Sequence, residues 1–274
     1  MSMGRLFVGS VYSKDGVERN RQWYELQTKF LKSTTKNYQH FVCAEEDNFV
    51  GDHVFLQKKY ESESYWIHLS RLGQKNKGQN EQYYLEHVNG LKTIIDEFRR
   101  QIEFGWLLIL DSDAFPIASG WQKTIPEQMN ERKKKWAAAV RMECLDLFPH
   151  PCVWLVPRRS LSVLDSLFDM TVSYDVCGRG VSNIGSGMSR DELFPLVKTN
   201  VWSPHPFMST IYYGSFYHHA GGSRVPGNKS MLYYRHAFPD GYYNSFYDKT
   251  SESIFSETED YLSRLSGFPV RMYG

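Results

Sequence analysis

FGWLLILDSDAFPI, residues 104–117, decides the fold. Trp106 to Leu110 run apolar without alternation into Asp111-Ser112-Asp113. An unbroken apolar run of this length suits a strand buried on both faces, as in parallel sheets. Two carboxylates one residue apart, just past the strand's end, then stand at the rim where open α/β sheets bind ligands. Pro116 closes the segment, because proline cannot donate to a central ladder. Two acids with oxygen-only chemistry suit a hard divalent cation, Mg²⁺ or Mn²⁺, which commonly takes substrate phosphates as further ligands. Asp-x-Asp alone is equally a solvated turn, so the rest of the chain has to agree with it.

Outward from that stretch the chain alternates strands and helices. Arg5 to Val11 reads as a first strand, Glu18 to Lys32 as an amphipathic helix carrying Trp23, Leu26, Phe30 and Leu31, and Tyr38 to Ala44 as a second strand ending in Glu45-Glu46-Asp47. Val54 to Leu69 has no clear period, with a short strand expected at Tyr65 to Leu69; Arg71 to Gln79 reads as a loop. Glu81 to Gln101 places Tyr84, Val88, Leu91, Ile95 and Phe98 at helical spacing, with Asn80 as its cap, and leads into the Asp-x-Asp strand. Gly90 inside this helix is read as allowing a close approach to the sheet or to the nucleotide, with packing preferred. Trp136 to Met142 and Cys152 to Val156 read as strands around an irregular stretch with Pro149 and Pro151. Arg159 to Phe168 and Arg190 to Lys198 read as helices, Thr210 to His219 as one strand, and Glu257 to Leu265 as a last helix. Strands and helices in this alternation imply parallel pairing with right-handed crossovers.

Composition sets bounds. The 274 residues are 41% hydrophobic and 23% charged, ordinary for a globular chain with ample core. A net charge of +1 gives no electrostatic case for non-specific nucleic-acid binding. Aromatic residues make up 15%, which suits stacking on bases or sugars as well as core packing. Cys43, Cys144, Cys152 and Cys177 show no metal-type pairing, and Cys43 and Cys152 fall in strand-like runs, pointing to reduced thiols and a cytoplasmic setting. No run approaches membrane-spanning length.

The order of these pieces resembles glycosyltransferases of the GT-A fold, in particular the family 2-like sugar transferases of bacteria and large viruses. The resemblance runs from Arg5 to Arg224 and is carried by LILDSDAFPI (108–117), PCVWLVPRRSL (151–161), YDVCG (174–178) and YHHAGGSR (217–224). It implies an α/β, Rossmann-like fold with a mixed, mainly parallel central sheet flanked by helices in a single domain. Residues 1–125 would form the nucleotide-sugar half, 126–232 the acceptor half, and 233–274 an aromatic segment that either shapes the acceptor groove or folds over the donor as a lid. The activity implied is metal-dependent transfer of a sugar from a uridine- or guanosine-linked nucleotide diphosphate sugar to a hydroxyl of a glycan or glycoconjugate.

Residue by residue, Asp113 would ligate the Mn²⁺ or Mg²⁺ directly, and Asp111 through water or by reaching the ribose. One of His218 and His219 would supply the third ligand, because successive strand residues face opposite ways. The family's His-x-Gly-Gly pattern matches His219, followed by Ala220-Gly221-Gly222. Arg224 offers a guanidinium fork to phosphate. Glu45 stands where the family has a base-binding acid, commonly aspartate, and Ser10 and Tyr12 follow the first strand as nucleotide contacts, Tyr12 stacking on the base or covering the sheet edge. Asp175 would be the base of an inverting transfer. The family's usual acid pair is Tyr174-Asp175 here, so Asp146 and Asp191 stand in reserve and a retaining mechanism is the alternative. Three other classes compete. A sugar-nucleotide pyrophosphorylase shares the strand order, but GSVYSKDG is a poor phosphate loop. A non-catalytic carbohydrate-binding protein would use the aromatics as sugar platforms. A glycoside hydrolase, whose acids stand about 5–9.5 Å apart across a bond, fits acids at i and i+2 badly.

Overall fold

The computed structural model describes residues 3–12, 17–58, 78–143, 146–167, 192–199, 210–219, 260–264 and 269. Strand β1 (Leu6–Val11) is buried along its whole length. Helix α1 (Val17–Thr34) follows, its buried stripe being Asn20, Trp23, Tyr24, Gln27, Phe30 and Leu31. That i, i+3, i+4, i+7 recurrence makes one face of a helix. Strands β2 (Tyr38–Ala44) and β3 (Val54–Gln57) come next, then helix α2 (Gly78–Arg100), strand β4 (Trp106–Asp111) and the short β5 (Ala114–Pro116).

Among the described residues the main sheet has seven strands. On one side β1 pairs β2 and β2 pairs β3; on the other β1 pairs β4, all in parallel. The chain therefore leaves β1 in one direction and returns on its opposite flank, which makes the β1/β4 boundary a topological switch point. Beyond β4 the sheet continues through β7 (Asp146–Pro157), β6 (Trp136–Glu143) and β8 (Leu193–Leu196). The β4–β7 and β7–β6 pairs are antiparallel and β6–β8 is parallel. The expected mixed, mainly parallel α/β sheet flanked by helices is what the chain builds.

Each face of the sheet has its own core. Phe7 and Val11 of β1, with Leu107 and Ile109 of β4, pack beneath Leu91, Ile94, Ile95 and Phe98 of α2. Leu6, Val8, Leu108 and Leu110 face the other way, toward helix α3 (Trp121–Glu131), which contributes Trp121, Ile125 and Met129. A parallel strand buried on both faces has no polar alternation to show, which is why β4 reads as a continuous apolar run.

Several elements differ from the sequence reading. Residues 190–198 were expected as a helix, but β8 occupies 193–196 and pairs β6, with Phe194 and Leu196 buried. Pro195 has no N–H to donate, and β8 sits at the sheet's end, where a strand tolerates that loss. The irregular stretch around Pro149 and Pro151 lies inside β7, which bulges: Ala138 faces Trp154, whereas its neighbour Ala139 faces His150. Residues 210–219 are not one strand but a hairpin, β9 (Thr210–Tyr212) and β10 (Phe216–His218), forming a small sheet in the order β5-β10-β9. Residues 158–167 form a 3₁₀ helix kinked at Ser160 rather than an α-helix. Helix α3 had no counterpart in the sequence reading, because Pro126 stands inside it and it starts at Gly120, a cap in the left-handed region at φ 88°. The expected strand at 65–69 lies outside the described residues, as do 71–77 of the expected loop.

Helix α2 is fastened at two levels. A Cβ at Gly90 would stand 2.4 Å from Val11 Cγ1, and one at Gly9 would stand 2.4 Å from Ile94 Cγ2, so a glycine on each element lets helix and strand approach. At its C-terminal end Arg158 donates from Nη2 to the carbonyls of Phe98 (2.5 Å) and Gln101 (2.7 Å), and from Nε to that of Phe104 (2.7 Å). The Phe98 carbonyl is one of the last four that a helix end leaves without internal partners. Gly90→Ala should lower the melting temperature. Helix propensity gains about 1 kcal/mol, but overpacking costs about 1–3 kcal/mol, and the clash is with a stiff β-branched side chain in a central strand. A raised melting temperature would show that Val11 yields.

Candidate metal centre at the switch point

The turn Asp111-Ser112-Asp113 hands the chain from β4 of the large sheet to β5 of the small one. Gln27 of α1, fully buried, holds that turn at both ends. Its Nε2 donates to the Asp111 carbonyl at 3.0 Å and to the Ala114 carbonyl at 2.6 Å. Its Oε1 accepts the Tyr12 hydroxyl at 2.9 Å. All three polar functions of the amide are used, which is what a buried amide requires.

The small sheet brings the imidazole. Tyr213 (φ 54°) and Gly214 (φ 60°) turn the hairpin with both central residues at positive φ, as a type I′ turn demands, and Ser215 N–H closes on the Tyr212 carbonyl at 3.0 Å. β10 then runs antiparallel to β5 with His218 opposite Ala114, and His219 N–H donates to the Asp113 carbonyl at 3.0 Å. His218 Nε2 stands 3.4 Å from Asp113 Oδ1 and 3.6 Å from Asp111 Oδ2. Asp113 and His218 are 5% and 3% exposed, and Asp111 is partly so. Asp111, Asp113 and His218 thus offer two oxygens and a nitrogen within 4.8 Å of one another, a group that can hold a metal ion. Two of the three donors are hard carboxylate oxygens and the third is a borderline imidazole nitrogen, and the turn that carries the acids is pinned from behind. Both fit a hard divalent cation.

Alternation selects His218, not His219. The structure brings His218 to the acids and turns His219 the other way, where its ring lies 5.0 Å from that of Trp23 and its Nδ1 is hydrogen-bonded to the Tyr217 hydroxyl at 2.7 Å. The glycines that favoured His219 lie outside the described residues. Burial holds the His219 imidazole down at about 4, against an opposing pull from Asp113.

Two expected nucleotide contacts are core residues. Tyr12 is fully buried; its ring packs against Tyr24 and Phe49, and its hydroxyl is spent on Gln27. It cannot stack on a base, and its service to the site is through the Asp-x-Asp turn. Ser10 is also fully buried, with its hydroxyl hydrogen-bonded to His40 Nε2 at 3.1 Å. Glu45 follows β2 at the same rim as Asp111, partly exposed. The loop after it is tied down by the Tyr24 hydroxyl on His53 Nδ1 (2.9 Å) and His53 Nε2 on Asp47 (3.1 Å). Asp175, Asp191 and Arg224 lie outside the described residues. So does the side chain of Asp146, whose backbone opens β7.

Three residues were missed. Gln27 was legible as a polar residue in the middle of an apolar stripe. His87 of α2, one turn before Leu91, reaches Asp111 Oδ1 at 3.5 Å through Nε2. His150, buried on the β7 bulge, faces His218 with ring centroids 5.4 Å apart and accepts the Cys152 N–H on its Nδ1 at 3.1 Å. Nothing local marks His150, because the bulge aims it. Cys43 and Cys152 are buried and unbridged, and among the described residues no helix is long and apolar enough to cross a membrane.

Among solved structures the chain is similar to that of a glycosyltransferase involved in the glycosylation of the major capsid of PBCV-1. The TM-score is 0.32 at 15% identity, over 58% of this chain and 62% of that one, less than two thirds of its length. No family model and no curated protein matches the chain.

Two outcomes are expected. Gln27→Leu strands two carbonyls and a hydroxyl, each costing about 1–3 kcal/mol when buried without a partner. Its urea midpoint should fall with an unchanged slope; a midpoint equal to that of wild type would mean other contacts hold the turn. Acid should also unfold the protein early. Burial holds His40 at about 3 instead of the usual 6.5. Between those values the unfolded chain binds a proton that the folded chain refuses, so stability falls as pH falls through the window. A His40→Gln variant should lose stability less steeply between pH 7 and 4, and a parallel decline would assign the acid sensitivity elsewhere.

Proposed function

We propose that the protein is a metal-dependent glycosyltransferase that moves a sugar from a nucleotide diphosphate sugar, uridine- or guanosine-linked, to a hydroxyl of a glycan or glycoconjugate. One observation carries the reading. His218, far along the chain, meets Asp111 and Asp113 beyond the carboxyl end of β4 at the sheet's switch point. That is where open α/β sheets bind ligands. In this reading the residues holding the cation, Mn²⁺ or Mg²⁺, are those three. When bound, the cation supplies Lewis-acid stabilisation of negative charge growing on the departing diphosphate.

The chain's own groups set the conditions for that chemistry. Asp113 and the Nε2 of His218 are buried, so little water competes for them and their electrostatic effect is correspondingly large. Binding through Nε2 requires a neutral His218 with its proton on Nδ1. Asp111 is the more exposed acid and is proposed to meet the cation through water or to reach the ribose hydroxyls. Glu45, at the neighbouring strand end, is the group proposed to meet the base. On the acceptor side Asp175 is proposed as the base that takes the hydroxyl proton as the oxygen attacks, with inversion, and Arg224 as a phosphate contact. The aromatic segment 233–274 is proposed to cover the acceptor side.

The test is a panel of UDP- and GDP-sugars with Mn²⁺, reading released nucleotide. Asp113→Asn and His218→Ala should each lower turnover about 100-fold or more. That is the loss of several kcal/mol of leaving-group stabilisation, at about 1.36 kcal/mol per tenfold. A non-catalytic carbohydrate-binding protein would turn over no donor and would bind glycans undiminished by either change. Turnover that survives chelation would remove the metal from the mechanism.

A further inference from the structure

We infer that His87 is a positioning residue of the cation site: it holds one oxygen of Asp111 so that the other is presented to the metal. The inference rests on the metal-site reading above and deepens it. Parity along β4 supplies the first step. Leu107 and Ile109 point to the α2 face of the sheet, and Asp111 continues the same alternation. On α2, His87 precedes Leu91 by four residues, which places it on the sheet-facing stripe one turn nearer the carboxyl ends of the strands. The close approach at Gly90 and Gly9 sets how near that stripe comes.

The result is one carboxylate bracketed by two imidazoles from different elements. His87 Nε2 is 3.5 Å from Asp111 Oδ1, and His218 Nε2 is 3.6 Å from Asp111 Oδ2. The division of labour follows from the atoms. Oδ2 lies on the side of His218 and, through it, of Asp113, so it belongs to the ligand set. Oδ1 lies on the side of α2, whose helix is pinned to the sheet and cannot follow a moving turn. Asp111 is also the less buried of the two acids and so the freer to swing. A ligating carboxylate held by an outer partner loses less freedom when the ion binds, and such partners are worth about 10- to 100-fold in metal affinity.

Mn²⁺ binding to the full-length chain without nucleotide, followed by the electron paramagnetic resonance signal of the free ion, tests this. His87→Ala should weaken Mn²⁺ binding about 10- to 100-fold. His87→Gln, whose amide N–H reaches the position of the imidazole Nε2, should recover most of that loss. Melting temperatures measured without metal show whether each variant is folded. Wild-type affinity in His87→Ala, or equal weakening in His87→Gln and His87→Ala, overturns the inference. If the wild type binds no Mn²⁺, the inference falls with the metal site. If the affinities change as expected while no sugar nucleotide is turned over, only the transferase reading falls.

Discussion

A single buried amide governs the geometry of the candidate site. The turn after β4 must leave one sheet and enter another within two residues, and in doing so it frees backbone carbonyls that neither ladder satisfies. Gln27 takes the carbonyls of Asp111 and Ala114 together and passes its own oxygen to Tyr12. No charged side chain could do this at that depth without a desolvation penalty of several kcal/mol, and no apolar one could do it at all. The two acids are therefore displayed by a turn fixed from behind by α1, which is itself packed on the sheet through Leu31 and Phe30.

The imidazole's position then follows from register. β10 pairs β5 directly after the turn, so the residue opposite Ala114 stands beside Asp113. The tight hairpin at Tyr213-Gly214 leaves β10 no slack, and the His219 N–H bond to the Asp113 carbonyl locks the register. A slip of one residue would turn His219 to the acids and His218 to Trp23, inverting every other contact of the strand. Tyr217, Phe115 and Trp23 on one side, and Phe216 and Trp121 on the other, make that slip costly.

What the sequence disclosed follows from the same physics. Long periodic segments and doubly buried strands carry their signal locally, so β1, α1, β2, α2 and β4, with the acids at the end of β4, were legible. Short elements were not. Leu193-Phe194-Pro195-Leu196 is too brief to show a period, and its strand character comes from the edge of β6 alone. Thr210–His219 is apolar enough to hide a two-residue turn, although Gly214 was its one visible sign. The choice between adjacent histidines needs the register of a tertiary pairing, which no local pattern contains. Ser10 and Tyr12 were misread for a related reason: a polar residue at a strand's end looks like a ligand contact until its buried partner, His40 or Gln27, is known. Asp175 and Arg224 rest on order along the chain alone.

The composition of the ligand group is itself constrained by charge. Asp111 and Asp113 place two carboxylates in a largely buried pocket, where like charges a few ångströms apart repel strongly unless a cation or a proton intervenes. A third carboxylate would add to that repulsion whenever the ion is absent. An imidazole completes the set without adding a third negative charge. Two acids and an imidazole leave a divalent ion formally neutralised but short of the six oxygen-type ligands it prefers. Of the three, Asp111 is the partly exposed one, so the group opens toward the rim on its side. In the proposed reading a diphosphate, with its several anionic oxygens, would supply the ligands that the three residues leave to be filled.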